Sequence, residues 1–177
     1  MIQLDLEDAI APQEKDRARA DAPDAIARIH DSGRVGTVRV NGPLRLLIPD
    51  LESVVRPGLA GLTIPKVHSS DYLKLIDETL TELELEREIP EGSVRLIAQI
   101  ETAEGLMHLE EIARSTPRLA ALSVGPEDLA ADLGSAVDPD VMYVPNMQAL
   151  IAARAAGVIP LGYVGSITLY DDPDTYR

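Results

Sequence analysis

Two apolar runs in this chain end on acids that a core has no use for. "LIAQIETAEGL" sets Glu101 directly behind a stretch of Leu, Ile and Ala, and "LSVGPEDLAADLG" sets Asp128 just past another. An unpaired carboxylate is costly to bury, so such acids either cap local structure or face something cationic. Two carboxylates with no His or Cys beside them suit a hard cation such as Mg2+, which keeps several waters and takes one or two protein carboxylates. A bound substrate would fill the remaining positions. Asp128 has a plainer reading, because Pro126, Glu127 and Asp128 can form the first turn of a helix, where the dipole favours acids. Glu101 is harder to explain that way, since "IET" closes an apolar strand.

Other strand ends carry polar groups too. Arg39, in "VRVNG", could hold a carboxylate or stabilise a developing enolate oxygen. It could also pair with Glu7 or Asp8 across adjacent strand ends, and the two roles are compatible. In "LDLEDA", Asp5 and Glu7 share one face and Asp8 lies at the tip. These acids are expected to orient Arg39 or metal waters rather than to ligate directly. Lys66, in "IPKV", is of the type that forms Schiff bases, but a solvated or ion-paired lysine is the simpler expectation. His68 and His108 are expected at the surface or partly packed. The acidic run "DETLTELELEREIPE" is expected to be a solvated helix face.

The elements that must position these residues recur with a regular beat. "MIQLDL", "GTVRV", "AGLTIP", "VRLIAQI", "LAALSV" and "GVIPLGYV" are short runs rich in Val, Ile and Leu, as in strands buried on both faces. Between them "PQEKDRARADAPDAIARIHDSG", "SSDYLKLIDETLTELELERE", "AEGLMHLEEIARS" and "NMQALIAARAAG" have helical character; the first starts with Pro, the second opens with Ser, and the first and last end in Gly. Pro23 is expected to split the first of these segments. Strand alternating with helix implies a parallel sheet. Glu7 and Asp8, Arg39 and Asn41, Lys66, Glu101, Asp128 and Ser166 recur at steps of roughly 30 residues, one unit of a (β/α)8 TIM barrel, whose catalytic rim is built from strand C-termini. No nucleotide-binding glycine fingerprint supports an open, doubly wound sheet instead. Six strands fall short of eight, so the expectation is one partial TIM-barrel domain over residues 1–177, lacking its first and last units.

Composition narrows the function classes. Thirty Asp and Glu against 16 Lys and Arg give a net charge of −14, which argues against binding nucleic acid or an anionic membrane through bulk electrostatics. The chain has no Cys, so thiolate metal sites and Cys nucleophiles are excluded, and its three His lack ligand-like spacing. A hydrophobic fraction of 45% is ordinary for a globular protein. No apolar stretch is long enough to span a bilayer and no signal peptide is evident, so a soluble, cytoplasmic protein is expected.

"LDLEDAIAPQEKDRAR", "VRVNG", "DLESVVRPGLAGLTIPKV", "LIAQIETAEGL" and "LSVGPEDLAADLG" together resemble the citrate lyase β-subunit-like proteins of the HpcH/HpaI aldolase family. The resemblance implies a (β/α)8 barrel, usually oligomeric, that makes or breaks a carbon–carbon bond with Mg2+. It implies acyl-CoA thioester substrates of the malyl-CoA or citryl type. Glu101 and Asp128 would then be the Mg2+ ligands, and Arg39 the arginine that binds substrate and enolate. Glu7 and Asp8 would support catalysis, and Glu101, Gly125 and Pro126 would join Arg39 around the substrate. Departures are visible: the opening strand with its own arginine and the closing C-terminal segment are absent, no Trp follows "VRVNG", and His68 stands where the family pattern has Glu.

Three functions therefore compete. The first is a Mg2+-dependent lyase of acyl-CoA thioesters, acting as a homo-oligomer. The second is an aldolase of free 2-oxo acids, which would need no groove for a nucleotide. The third is a non-catalytic fragment or subunit-interaction protein, whose open sheet edges a partner would have to cover.

Overall fold

The computed structural model describes residues 1–162. Six parallel strands form one sheet: β1 (Ile2–Asp5), β2 (Gly36–Arg39), β3 (Leu59–Ile64), β4 (Arg95–Ile100), β5 (Leu119–Val124) and β6 (Ile159–Leu161). Their order in the sheet is their order in the sequence. A doubly wound sheet reverses direction part-way, whereas each strand here is laid beside its predecessor on the same side, as in a TIM barrel. Ser166, the expected rim residue of the sixth unit, lies outside the described residues.

The helices are α1 (Lys15–Asp31), preceded by a 3-10 turn at Pro12–Glu14, α2 (Leu44–Val54), α3 (Ser70–Glu86), α4 (Ala103–Met107), α5 (Leu109–Ala113), α6 (Pro126–Asp132) and α7 (Pro139–Ala156). Helical spacing of apolar residues explains how they pack. In α3, Leu73, Ile76, Leu80 and Leu83 are all buried, one stripe of a helix facing the sheet. Ser69 caps α3 by accepting from the Tyr72 N–H, and Gly157 ends α7 in the left-handed conformation at φ 75°.

Several expectations needed correction. Pro23 does not split α1, which runs through it. Proline lacks the N–H that would bond to the carbonyl four residues back, that of Arg19. The Ser53 hydroxyl donates to that carbonyl at 2.6 Å, so the gap is filled from α2. The "AEGLMHLEEIARS" segment is two helices, broken at His108. The acidic run of α3 is not simply a solvated face. Glu84 within it is 0% exposed and Asp77 also points inward, both pairing with the buried Arg118. Helix α2 was hidden because Pro43 and Pro49 read as breakers.

The sheet is two-sided in character. Val38, Leu62, Ile64, Leu96, Ala98, Ile100, Leu122 and Val124 enter one continuous core with the helices. The strand register sets Gln3 beside Thr37, Asp5 beside Arg39, Arg39 beside Thr63, and Gln99 beside Ser123 on the other face. Toward the strand C-termini that inner face is therefore polar. Backbone bonds extend the ladder past the strands, from Leu6 N to Arg39 O (2.8 Å), Val67 N to Gln99 O (3.1 Å) and Gly125 N to Ile100 O (2.9 Å), which holds the rim residues in register.

Candidate metal and substrate site

The strand C-termini bring Glu7, Arg39, Lys66, Glu101 and Asp128 to one rim. Glu101 follows β4 and is 3% exposed. Its Oε1 accepts from Gln99 Nε2 at 2.7 Å and its Oε2 from the Lys66 backbone N–H at 2.9 Å. Burial pushes its carboxyl up to about 7, with the Lys66 N–H pulling down and the Glu7 and Asp128 charges pushing further up. Lys66 reaches the same corner twice, because its backbone sits at φ 52°, a conformation uncommon outside glycine. Its Nζ lies 2.9 Å from Asp128 Oδ2 and 3.6 Å from Glu7 Oε1. The Asp128 contact, helped by Glu7, raises the lysine above its ordinary range against a smaller effect of burial. Asp128 stands in the first turn of α6, as the helix-capping reading also has it. Lys66 is thus the ion-paired lysine expected, with Asp128 and Glu7 as its partners.

Arg39 anchors the neighbouring half of the rim. Asp5 grips it with two bonds, Nε to Oδ1 at 3.0 Å and Nη2 to Oδ2 at 2.5 Å. Its Nη1 lies 3.0 Å from Glu7 Oε2 and 3.4 Å from Asp8 Oδ2. All three acids of "LDLED" thus contact the guanidinium, with Asp5 the main partner. Burial pushes the Asp5 carboxyl up, but the Arg39 bonds and the Glu7 N–H outweigh it and hold it below its usual range. Glu7 goes the other way: burial raises it more than Arg39 lowers it. Glu7 Oε2 is buried and has no hydrogen-bond donor, since the Arg39 contact lacks the geometry of one.

Beneath the rim lies a polar strut that the sequence did not reveal. Lys15 Nζ donates to Leu6 O (2.7 Å), Glu7 O (2.6 Å) and Asn41 Oδ1 (2.8 Å). Asn41 donates through its backbone N and Nδ2 to Asp50 Oδ2, and Arg19 Nε donates to Asp50 Oδ1 at 2.9 Å. These bonds fix the backbone on which Glu7 sits. Their only sequence signal was Asn41 at a strand end; Lys15 and Asp50 lie on helices and look like surface residues.

Gly125 is buried against Glu101, and Pro126 opens α6. His68 is exposed and stacks on Tyr72 at 5.4 Å, while His108 Nδ1 lies 2.9 Å from Glu104 O, so neither joins the rim cluster. A cleft between α1 and α2, lined by residues such as Arg19, Pro49 and Arg56, contains none of the rim residues.

The donor set can be tested against a metal. Among the described residues no three His, Cys, Asp or Glu side chains converge into an all-protein cage. What the rim offers is two carboxylates tied through Lys66, plus a buried Glu7 oxygen without a donor. Oxygen-only donors in small number, with excess negative charge, fit Mg2+ better than zinc or an all-protein calcium cage.

Comparisons with known proteins agree with this architecture. The HpcH/HpaI aldolase/citrate lyase family profile matches residues 1–174. The citrate lyase subunit beta of Leuconostoc mesenteroides subsp. cremoris is 31% identical over 99% of this chain and 59% of its own length. The L-malyl-CoA/beta-methylmalyl-CoA lyase of Cereibacter sphaeroides strain ATCC 17029 is 37% identical over 76% of this chain and 43% of its own. The chain thus spans about half the length of such relatives, 59% of the first and 43% of the second. Among solved structures, RipC from Yersinia pestis superposes with a TM-score of 0.78 at 27% identity, over 96% of this chain and 71% of that one. Protein CitE from Mycobacterium tuberculosis, in complex with magnesium and pyruvate, gives 0.72 at 27% identity over 96% of this chain and 66% of that one. With residues 1–174 matched and the fold shared, the chain belongs to the HpcH/HpaI aldolase/citrate lyase family.

Proposed function

We propose that this chain is the rim-bearing part of a Mg2+-dependent carbon–carbon lyase that cleaves or forms a 3-hydroxyacyl-CoA thioester of the citryl or malyl type. The observation that carries this reading is the gathering of Glu7, Glu101 and Asp128 around Lys66, with Arg39 alongside. Glu101 and Asp128 would hold Mg2+. When bound, the metal supplies Lewis acidity to an oxygen of the substrate.

The protein's own groups do the rest. In the cleavage direction the substrate hydroxyl loses its proton, the adjacent carbon–carbon bond breaks, and its electron pair moves onto the thioester as an enolate, later protonated on carbon. Arg39 is suited to face that developing negative charge, because the two Asp5 bonds orient it before substrate arrives. Asp8 is the exchangeable partner. Its side chain is 62% exposed and 3.4 Å from Nη1, so a substrate carboxylate can take its place. Gln99 and the Lys66 N–H keep Glu101 in one rotamer.

A second reading, aldol cleavage of free 2-oxo acids without CoA, draws support from the CitE relative crystallised with magnesium and pyruvate. The two separate by assay: release of acetyl-CoA from malyl-CoA favours the first, release of pyruvate from a 4-hydroxy-2-oxo acid the second. The metal assignment is tested by calorimetric Mg2+ titration of the Asp128→Asn chain. Its affinity should fall by at least about tenfold, the lower end of what changes in a metal's surroundings cost, with the circular dichroism unchanged. Unaltered affinity would remove Asp128 from the ligand set.

A further inference from the structure

We propose that Lys66 is an exchangeable internal cation: its ammonium holds Asp128 and Glu7 while the metal is away, gives up Asp128 when Mg2+ binds, and then serves the anionic substrate. The inference rests on the metal reading above and adds a coupling between metal and substrate to it.

The geometry singles out Lys66. Only Lys66 and Glu88, among the described residues other than glycine, have a positive φ, at 52° and 55°. Glycine would meet such a turn without strain, so what lysine adds at this position is its side chain. The turn aims the backbone N–H at Glu101 Oε2 (2.9 Å) while the ammonium lies 2.9 Å from Asp128 Oδ2 and 3.6 Å from Glu7 Oε1. One residue after β3 thereby touches acids positioned by β1, β4 and β5. The other nearby cation, Arg39, is committed to Asp5.

Lys66 is built to move, and Lys15 shows the contrast. The Lys15 ammonium has three oxygens at 2.6–2.8 Å, one for each of its protons, and acts as a fixed strut. Lys66 has one close acceptor, and its side chain is 45% exposed. An ammonium and a divalent cation repel, so a metal taking Asp128 Oδ2 competes with Nζ for that oxygen. Metal binding through Oδ2 therefore displaces Nζ. Released, it stays tethered at the rim beside Glu101, within reach of a carboxylate delivered there. Lys66 opposes the metal and, once released, favours the anion, so each of the two ligands helps the other to bind.

The test uses the full chain as wild type, Lys66→Met, which keeps the stem and loses the charge, and Lys66→Arg, which keeps the charge. Mg2+ is titrated calorimetrically at fixed ionic strength, and pyruvate is then titrated at saturating Mg2+. Lys66→Met should bind Mg2+ roughly three- to tenfold more tightly, as expected when an ion pair competing for the ligand is removed. It should bind pyruvate more weakly, and Lys66→Arg should stay near wild type in both. In the 15N spectrum of lysine ammonium groups, Mg2+ should shift one resonance that Lys66→Met lacks. A wild type that takes Mg2+ while Lys66→Met binds it equally or more weakly overturns the exchange and leaves the metal assignment standing. A wild type that takes no Mg2+ overturns both.

Discussion

A Cβ built on Gly125 would lie 2.3 Å from Glu101 Oε1, 2.6 Å from its Cγ and 2.8 Å from Gln99 Nε2. The register explains why. Ile100 and Val124 are paired across β4 and β5, so the next residues, Glu101 and Gly125, emerge side by side. A carboxylate folded over its neighbour's backbone leaves no space for a methyl group. Gly125→Ala should push Glu101 from its bonds to Gln99 and Lys66, at a cost of about 1–3 kcal/mol for overpacking. We expect weaker Mg2+ binding with a lowered unfolding midpoint, both read by titration and thermal melts; Mg2+ affinity equal to wild type would show that Glu101 is not needed in this rotamer. At this scale Glu101, Asp128 and Arg39 were legible in the sequence, because charged groups at the ends of apolar runs are conspicuous. The Asp5 grip on Arg39, the strut from Lys15 and the double contact of Lys66 were not. They depend on side-chain reach and on a left-handed backbone, and neither leaves a trace in residue order.

Helix α3 shows what periodicity reveals and what it hides. Its apolar stripe was plain, but Glu84 lies between Leu83 and Leu85 in a run that looks solvated. The fold places it at 0% exposure, accepting from the Gly92 and Val94 backbone N–H groups, each at 2.8 Å, and from Arg118. Arg118 also donates to Thr81 Oγ1 at 2.8 Å and to Asp77, which clamps α3 to the entry of β5. Burial alone would raise the Glu84 carboxyl, but the Arg118 bond and the two N–H donors win and hold it below its ordinary value. A carboxylate lowered on folding contributes stability that is present above its unfolded pKa of about 4.3 and lost as pH falls through the folded value. Glu84→Gln should therefore cost on the order of 3 kcal/mol at pH 7, because it breaks a buried ion pair and leaves Arg118 with Asp77 as its remaining carboxylate partner among the described residues. That deficit should shrink as pH falls below about 4.3, where the unfolded wild type takes up a proton that the folded carboxylate resists. Urea unfolding of both chains at pH 7 and pH 3.5 checks this, and a deficit that is the same at both would mean the ion pair is not its source.

Over the whole molecule, the beat of strand and helix gave the parallel sheet and the strand end on which each described rim residue sits, because a (β/α) unit repeats both its length and its apolar pattern. Helix α2 escaped because Pro43 and Pro49 mimic a loop, and with it went Asp50, the anchor of Asn41. The global charge bears on how metal binding must be measured. A net charge of −14 repels itself, and any added salt relieves part of that repulsion by screening. Mg2+ would thus raise the unfolding midpoint even without a site. Screening follows ionic strength, acts alike on every variant and does not saturate at low concentration. Binding to the folded state saturates and grows as RT ln(1 + [L]/Kd), about 2.7 kcal/mol at a hundred times Kd. In NaCl-balanced buffers of equal ionic strength, the wild-type midpoint should rise with Mg2+ and level off. Asp128→Asn should show little rise, although it carries one negative charge fewer and by screening alone would begin more stable. Parallel, unsaturated rises in both chains would assign the whole effect to surface charge and take Mg2+ away from the rim.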